Sequence, residues 1–290
     1  MSRSPANPAA AKLPPPPSTR AKRRTAPIGP PPTDVSLAEE VGTGFLNVAG
    51  TVGGMAVLGF QILRRLLTLR IDGEEVMRNL YKMGVKSIPI VIVTALFTGS
   101  LVVIQAAPLV VRIGAHGLLG WAAGFSILRE IAPLLTALMI NGRVGANNTA
   151  ELGTMVVTEQ IDALRVLAID PIAFLIAPRF IAMVVTLYLS TIFADTLALL
   201  GASVGGYALL GVEPKTFYNG VTMGLLGVND VLSGIIKSIV FGIVIGLSSC
   251  TYGLSVKGGA PGVGRAVNAT VVTSAAGIFV VDYFVSFTLD

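Results

Sequence analysis

The hydropathy pattern changes character near residue 88. From there onwards five apolar stretches, 88–111, 121–141, 172–200, 231–252 and 269–289, are each long enough to cross ~30 Å of hydrocarbon. Ahead of them, 44–69 is apolar but broken by Gly44, Gly50, Gly53, Gly54 and Gly59 and by Asn47 and Gln61. Its second half puts Ala56, Phe60, Leu63 and Leu67 on one helical face and Arg64 and Arg65 elsewhere, the periodicity of a helix lying in a membrane interface. A charged connector, 71–87, separates it from the first span. The pattern predicts an all-α integral membrane protein with an N-terminal interfacial helix and about five transmembrane helices.

Between the second and third spans the pattern changes twice. Gly142, Ala146 and Ala150 recur every four residues, as do Gly145, Thr149 and Gly153, and two such ridges let helix backbones approach where lipid gives no hydrophobic drive. Arg143 and Glu151 sit among them and need partners. A short amphipathic helix follows over 158–169, with Ile161, Leu164 and Ala168 on one face and Glu159, Asp162 and Arg165 on others. Asp170 precedes Pro171, which disfavours the helical region and should end the helix there. Such a helix either lies on lipid or docks a protein, and its two acids disfavour an anionic lipid surface.

Charge refines the topology. Six basic residues (Arg3, Lys12, Arg20, Lys22, Arg23, Arg24) precede the first acid, Asp34, so the net charge of +5 resides in the tail. Ten of the 17 prolines also fall before residue 34. Residues 1–40 therefore read as a disordered, Pro-rich, basic cytoplasmic tail, and 41–290 as the membrane domain. No apolar run follows the early charges within the first thirty residues, so the tail is not expected to be a signal peptide. If 44–69 crossed the membrane, either this tail or Arg64, Arg65 and Arg70 would be exported, against the positive-inside bias. That places the N-terminus in the cytoplasm and the C-terminus outside. The cytoplasmic loops then carry Arg165, Arg179, Lys257 and Arg265.

Composition supports the class, with 53% hydrophobic and 13% charged residues and a mean hydropathy of +0.77. The few charges inside spans are therefore conspicuous. Arg129 and Glu130 lie ~12 Å in from Trp121, and Lys237 lies ~10 Å in from Asp230, at 1.5 Å per residue. Opposite charges at matched depth predict a pair between Glu130 and Lys237, whereas Arg129 and Glu130, being adjacent on a helix, do not face each other. Such a pair either locks helices or lines a cavity open towards the outer side.

Absences narrow the function. The Gly-rich segment 257–265 (KGGAPGVGR) lacks the Lys-Ser/Thr of a phosphate-binding loop. One cysteine and one histidine give no metal ligand set, and neither a nucleophile–base pair nor a cofactor motif stands out. The chain is expected to be a non-catalytic subunit with no cofactor, and energy must come from another chain.

The segments REIAPLLTALMINGRVGANNTAELGTM, TEQIDALRVLAIDP and KGGAPGVGRAVNATVV, with the late acid Asp282, resemble the MlaE/YrbE family of ABC-transporter permeases. The resemblance covers about residues 46–289. It implies a homodimer in the bacterial inner membrane, working with two cytoplasmic ATPase subunits and a periplasmic MCE-domain protein to move phospholipid or other lipid. It puts the family's ATPase-coupling helix on Glu159, Gln160, Asp162, Ala163, Leu164 and Arg165, and its substrate-binding polar residues on Arg129, Glu130 and Lys237. Where members commonly carry a second arginine in the last motif, this chain has Ala269. The alternatives are a self-contained secondary transporter or channel and a non-transporting scaffold, neither of which accounts for the amphipathic helix.

Overall fold

The computed structural model describes residues 37–67, 72–114, 116–224 and 226–289. The expected Pro-rich tail lies outside the described residues up to 36, while 37–40, assigned above to that tail, begin a helix. The chain falls into two compact units, Met1–Val48 and Ala49–Asp290. Of the first, the described residues are the opening turns of α1 (Leu37–Leu67). The second builds the bundle.

All regular structure among the described residues is helical. Among the described residues five stretches are long and apolar enough to cross a membrane: Gly73–Ile113, Leu119–Val157, Ile172–Leu210, Val228–Leu254 and Gly259–Leu289. All five expected spans are present and every one is longer than its apolar core. The first combines α2 (Gly73–Met83), a 3-10 turn and α3 (Ile88–Ile113). The connector expected there is thus a helix, opened by Asp72, whose Oδ1 accepts from the Glu74 amide at 3.0 Å. The second runs through α4 (Leu119–Ser126), α5 (Ala132–Ile140) and α6 (Ala146–Val157), with π-helical turns at Ile127–Ile131 and Asn141–Gly145. It does not stop where the polar residues begin, because neighbouring helices satisfy them.

Pro133 explains the first of these turns. It offers no amide to the carbonyl of Arg129 four residues back, so the ladder widens just before it. Pro178 sits in the same relation to the turn Ile172–Ile176 that opens α8 (Ala177–Leu210). The remaining helices are the short α7 (Gln160–Val166), between α6 and α8, and α9 (Pro214–Thr222), α10 (Val228–Leu254) and α11 (Gly259–Leu289).

Helix α8 lies between α3 and α10, and α10 also packs on α6 and α11. The α3–α8 crossing is close enough for backbones to touch. A Cβ on Gly99 would lie 1.8 Å from the Ala198 carbonyl oxygen, and one on Gly201 would lie 2.1 Å from that of Leu96. Ser100 Oγ donates to the Gly201 carbonyl across this seam at 2.9 Å. From Ala49 on, α1 packs Leu58 and Ile62 against Leu152, Leu175, Ile176 and Cys250. The face expected to meet lipid, Ala56, Phe60, Leu63 and Leu67, is exposed. Arg65 anchors the helix through an ion pair with Asp170 at 2.7 Å.

Gly99→Ala should therefore destabilise the bundle by about 2 kcal/mol or more, the scale of overpacking without room to relax. Gly142→Ala, where a Cβ meets nothing within 4 Å, should leave the melting temperature unchanged or slightly higher. Thermal unfolding of both variants in one detergent is the check; a Gly99→Ala protein as stable as the parent would rule out the crossing.

Candidate functional site

The turn Ile127–Ile131 aims Arg129 and Glu130 in different directions, and each finds a different helix. Lys237 of α10, with no solvent exposure, forms an ion pair with Glu130 and a second, at 3.2 Å, with Asp282 of α11. Ser286 Oγ donates to the same Glu130 oxygen at 3.2 Å. Arg129 Nη1 donates to Asp230 Oδ1 at 3.1 Å, and its guanidinium lies 5.3 Å from the centre of the Phe125 ring. The cluster thus holds two cations and three carboxylates, drawn from the α4–α5 turn, α10 and α11. Lys237 is sealed, and Glu130, with 40% of its side chain accessible, is its most open member.

The expected Glu130–Lys237 pair is present, and Arg129 does not pair with its neighbour. Asp230 and Asp282 are partners that the sequence reading did not assign. Asp282 could have been found by the same depth arithmetic, since it lies seven residues before Leu289 in the last span.

At the other end of the bundle, α6 leads into α7 (Gln160–Val166). The amphipathic helix is shorter than the 158–169 expected from Pro171. It is bracketed by two non-glycine residues in the left-handed region, Glu159 at φ 59° and Ala168 at φ 58°. After Val166 the chain closes a Schellman-type cap, with Ala168 donating to the Arg165 carbonyl and Ile169 to that of Leu164. Asp170 caps the next element instead, accepting from the Ile172 amide at 3.0 Å. Ile161 is buried and Leu164 half-buried, while Glu159, Gln160, Asp162, Ala163 and Arg165 are exposed. Asp162 and Arg165 pair with each other at 2.8 Å. The most exposed apolar side chains here are Val166 and Leu167, at 86% and 68%. A helix continued through Ile169 places them off the face shared by Ile161, Leu164 and Ala168.

The two small-residue ridges differ. Gly145, Thr149 and Gly153 are buried, with Thr149 Oγ1 2.9 Å from Thr270 Oγ1 of α11 and a Cβ on Gly153 only 2.8 Å from Val256. Ala146 and Ala150 are half-buried and Gly142 is exposed. Between the ridges Glu151 pairs with Lys82 of α2, accepts from Asn147 at 2.7 Å and pairs with Arg179 at 3.4 Å. Arg179, expected in a loop, is instead 5% exposed inside α8 and also donates to Asn148 Oδ1 at 3.2 Å. Glu151 thus has the partners it needed; Arg143 is exposed.

Residues 76–288 match the family model described as Permease MlaE. A probable ABC transporter permease protein of Synechocystis is 37% identical over 229 residues, covering 79% of this chain and 87% of that protein. One from Rickettsia typhi is 34% identical over 252 residues, covering 87% of this chain and 97% of its own length. The chloroplastic protein TRIGALACTOSYLDIACYLGLYCEROL 1 of Arabidopsis thaliana is 34% identical over 230 residues, 79% of this chain and 65% of that one.

Glu130→Lys should destabilise the fold by about 3–5 kcal/mol, because it sets a second cation against a fully buried lysine. The exchange Glu130→Lys with Lys237→Glu should recover only part of this, since Asp282 would then face a carboxylate. Adding Asp282→Asn should recover more. Melting temperatures of the three variants test the order, and a single mutant as stable as the parent would contradict the pairing.

Proposed function

The chain belongs to the MlaE permease family, and on that footing we propose that it is the membrane subunit of a lipid-moving ABC transporter, driven by cytoplasmic ATPase subunits that dock on α7. The observation that carries the coupling is α7 itself. It is a seven-residue helix held between two left-handed residues, with Val166 and Leu167 bare at its end. Exposed apolar side chains on an element that also exposes Glu159, Asp162 and Arg165 match a protein surface better than an anionic lipid surface. A self-contained secondary transporter has no use for such an element.

In this reading the α7 end faces the cytoplasm, the C-terminus lies on the periplasmic side, and the membrane is the bacterial inner membrane. Two copies of the chain assemble, with a periplasmic MCE-domain protein beyond them. A lipid substrate is supported by the galactolipid in the name of the Arabidopsis relative and by the setting of the charged cluster among apolar helices. Glu130 and Arg129 are the members of that cluster able to meet a headgroup, with Arg129 suited to a phosphate. Lys237 acts through Glu130 and Asp282, holding them in place.

Val166→Asp and Leu167→Asp should each leave a folded, membrane-inserted permease that no longer retains its ATPase, because either would bury an unpaired charge in the contact. Leu164→Asp should do the same with some loss of stability, as Leu164 is partly packed in the chain. Co-purification from membranes, with the melting temperature alongside, reads both effects. Undiminished ATPase recovery with Val166→Asp and Leu167→Asp would remove α7 as the docking element.

A further inference from the structure

One intramembrane acid takes no part in the charged cluster. Asp195 lies in the middle of α8 and is 7% exposed. Its Oδ1 has no hydrogen-bond partner among the described residues, and none of the ion pairs among them includes it. The nearby hydroxyl of Thr196 donates to the Ile192 carbonyl at 3.1 Å. Among the described residues, the two cations nearest along the neighbouring segments are already engaged: Arg129 pairs with Asp230 and Lys237 with Glu130 and Asp282. Lys215, on α9, is exposed.

The carboxylate is not merely enclosed in packing. It lines a groove of about 310 Å³ between α8, α9, α10 and the turn at Leu128. Asp195 and Leu128 are its buried members, whereas Ile192, Leu200, Tyr218 and Val231 are exposed and apolar or aromatic. A groove of this size is at the lower end of the range for small-molecule sites. An isolated carboxylate facing hydrocarbon is costly, and such a residue ordinarily marks a ligand or ion path.

We propose that this groove binds an ammonium-bearing amphiphile, with its cation on the Asp195 carboxylate and its chain along the apolar rim. The complement is specific. A carboxylate with no protein donor asks for a positively charged donor, and a rim of exposed apolar side chains asks for an apolar tail. None of Arg129, Glu130 and Lys237 lines the groove, although Leu128 and Val231 adjoin Arg129 and Asp230 in the chain, and the site does not depend on ATPase docking at α7. Failure of that docking would leave it intact.

The test uses the full chain in detergent, exchanged into mixed micelles and examined by native mass spectrometry. The probes are phosphatidylethanolamine, phosphatidylglycerol with the same acyl chains, and free ethanolamine. The parent should retain phosphatidylethanolamine in preference to phosphatidylglycerol and should not retain ethanolamine. Asp195→Asn, which keeps the shape and removes the charge, should weaken phosphatidylethanolamine retention at least tenfold. Leu200→Trp, which fills the rim and leaves the carboxylate untouched, should weaken it as well, so the proposal stays testable if the first variant folds poorly. Equal retention of both lipids by the parent, or undiminished phosphatidylethanolamine on both variants, overturns the proposal. Ethanolamine held as tightly as the lipid would make this a small-cation site, and loss of dimer with Leu200→Trp at constant lipid retention would assign the groove to a second copy of the chain; either result also overturns it.

Discussion

A lysine with no solvent exposure, set in a helix apolar enough to span a membrane, constrains everything around it. Lys237 must be met by carboxylates, and those carboxylates must arrive from other helices at the same level. Glu130 comes from the α4–α5 turn and Asp282 from α11. One ammonium therefore fixes the relative height of three segments that hydrophobic packing alone would leave free to slide. Hydrophobic contact between helices is nearly isoenergetic with contact to lipid tails, so it sets no register. The buried charge does.

Reaching that register requires two departures from regular helix. The π-helical turn ahead of Pro133 rotates Arg129 and Glu130 so that one meets Asp230 and the other Lys237. Close backbone approach is the other requirement, because side chains as short as those of aspartate and glutamate span little distance. It is supplied by glycine: a Cβ on Gly234, three residues before Lys237, would lie 2.1 Å from the Leu128 carbonyl oxygen, beside Arg129. The charged cluster and the small residues are thus one arrangement, in which glycine brings the backbones together and the ion pairs set their height.

The parts of this arrangement that follow from counting were legible in the sequence. Five apolar runs give five spans, and equal depth from Trp121 and from Asp230 gives the Glu130–Lys237 pair. What depends on which helices are neighbours was not legible. Asp230 served only as a boundary marker, and nothing in its position along the chain says that it meets Arg129. Arg179 counts as a cytoplasmic loop cation from topology alone, yet Asn148 and Glu151 draw it into the bundle. The end of α7 was misplaced for a local reason. Pro171 marks where a helix cannot continue, whereas the actual stop, Ala168 at positive φ, uses a residue with no intrinsic preference for that conformation.

That use of alanine and glutamate where glycine would be easier bears on how α7 is held. Non-glycine residues in the left-handed region persist only where the surroundings over-determine them. Here α7 continues directly from α6, whose Glu151 is tied to Lys82 of α2 and to Arg179 of α8. At its far end Asp170 is tied to Arg65 of α1. A load applied to Val166 and Leu167 thus has two routes into the bundle, one through α6 towards α2 and α8, the other through Asp170 towards α1. Flexible hinges at Glu159 and Ala168 would let α7 move alone and lose that load. Surroundings that hold Glu159 and Ala168 in place keep α7 fixed to the bundle, which is the property that the proposed docking of an ATPase would require of it.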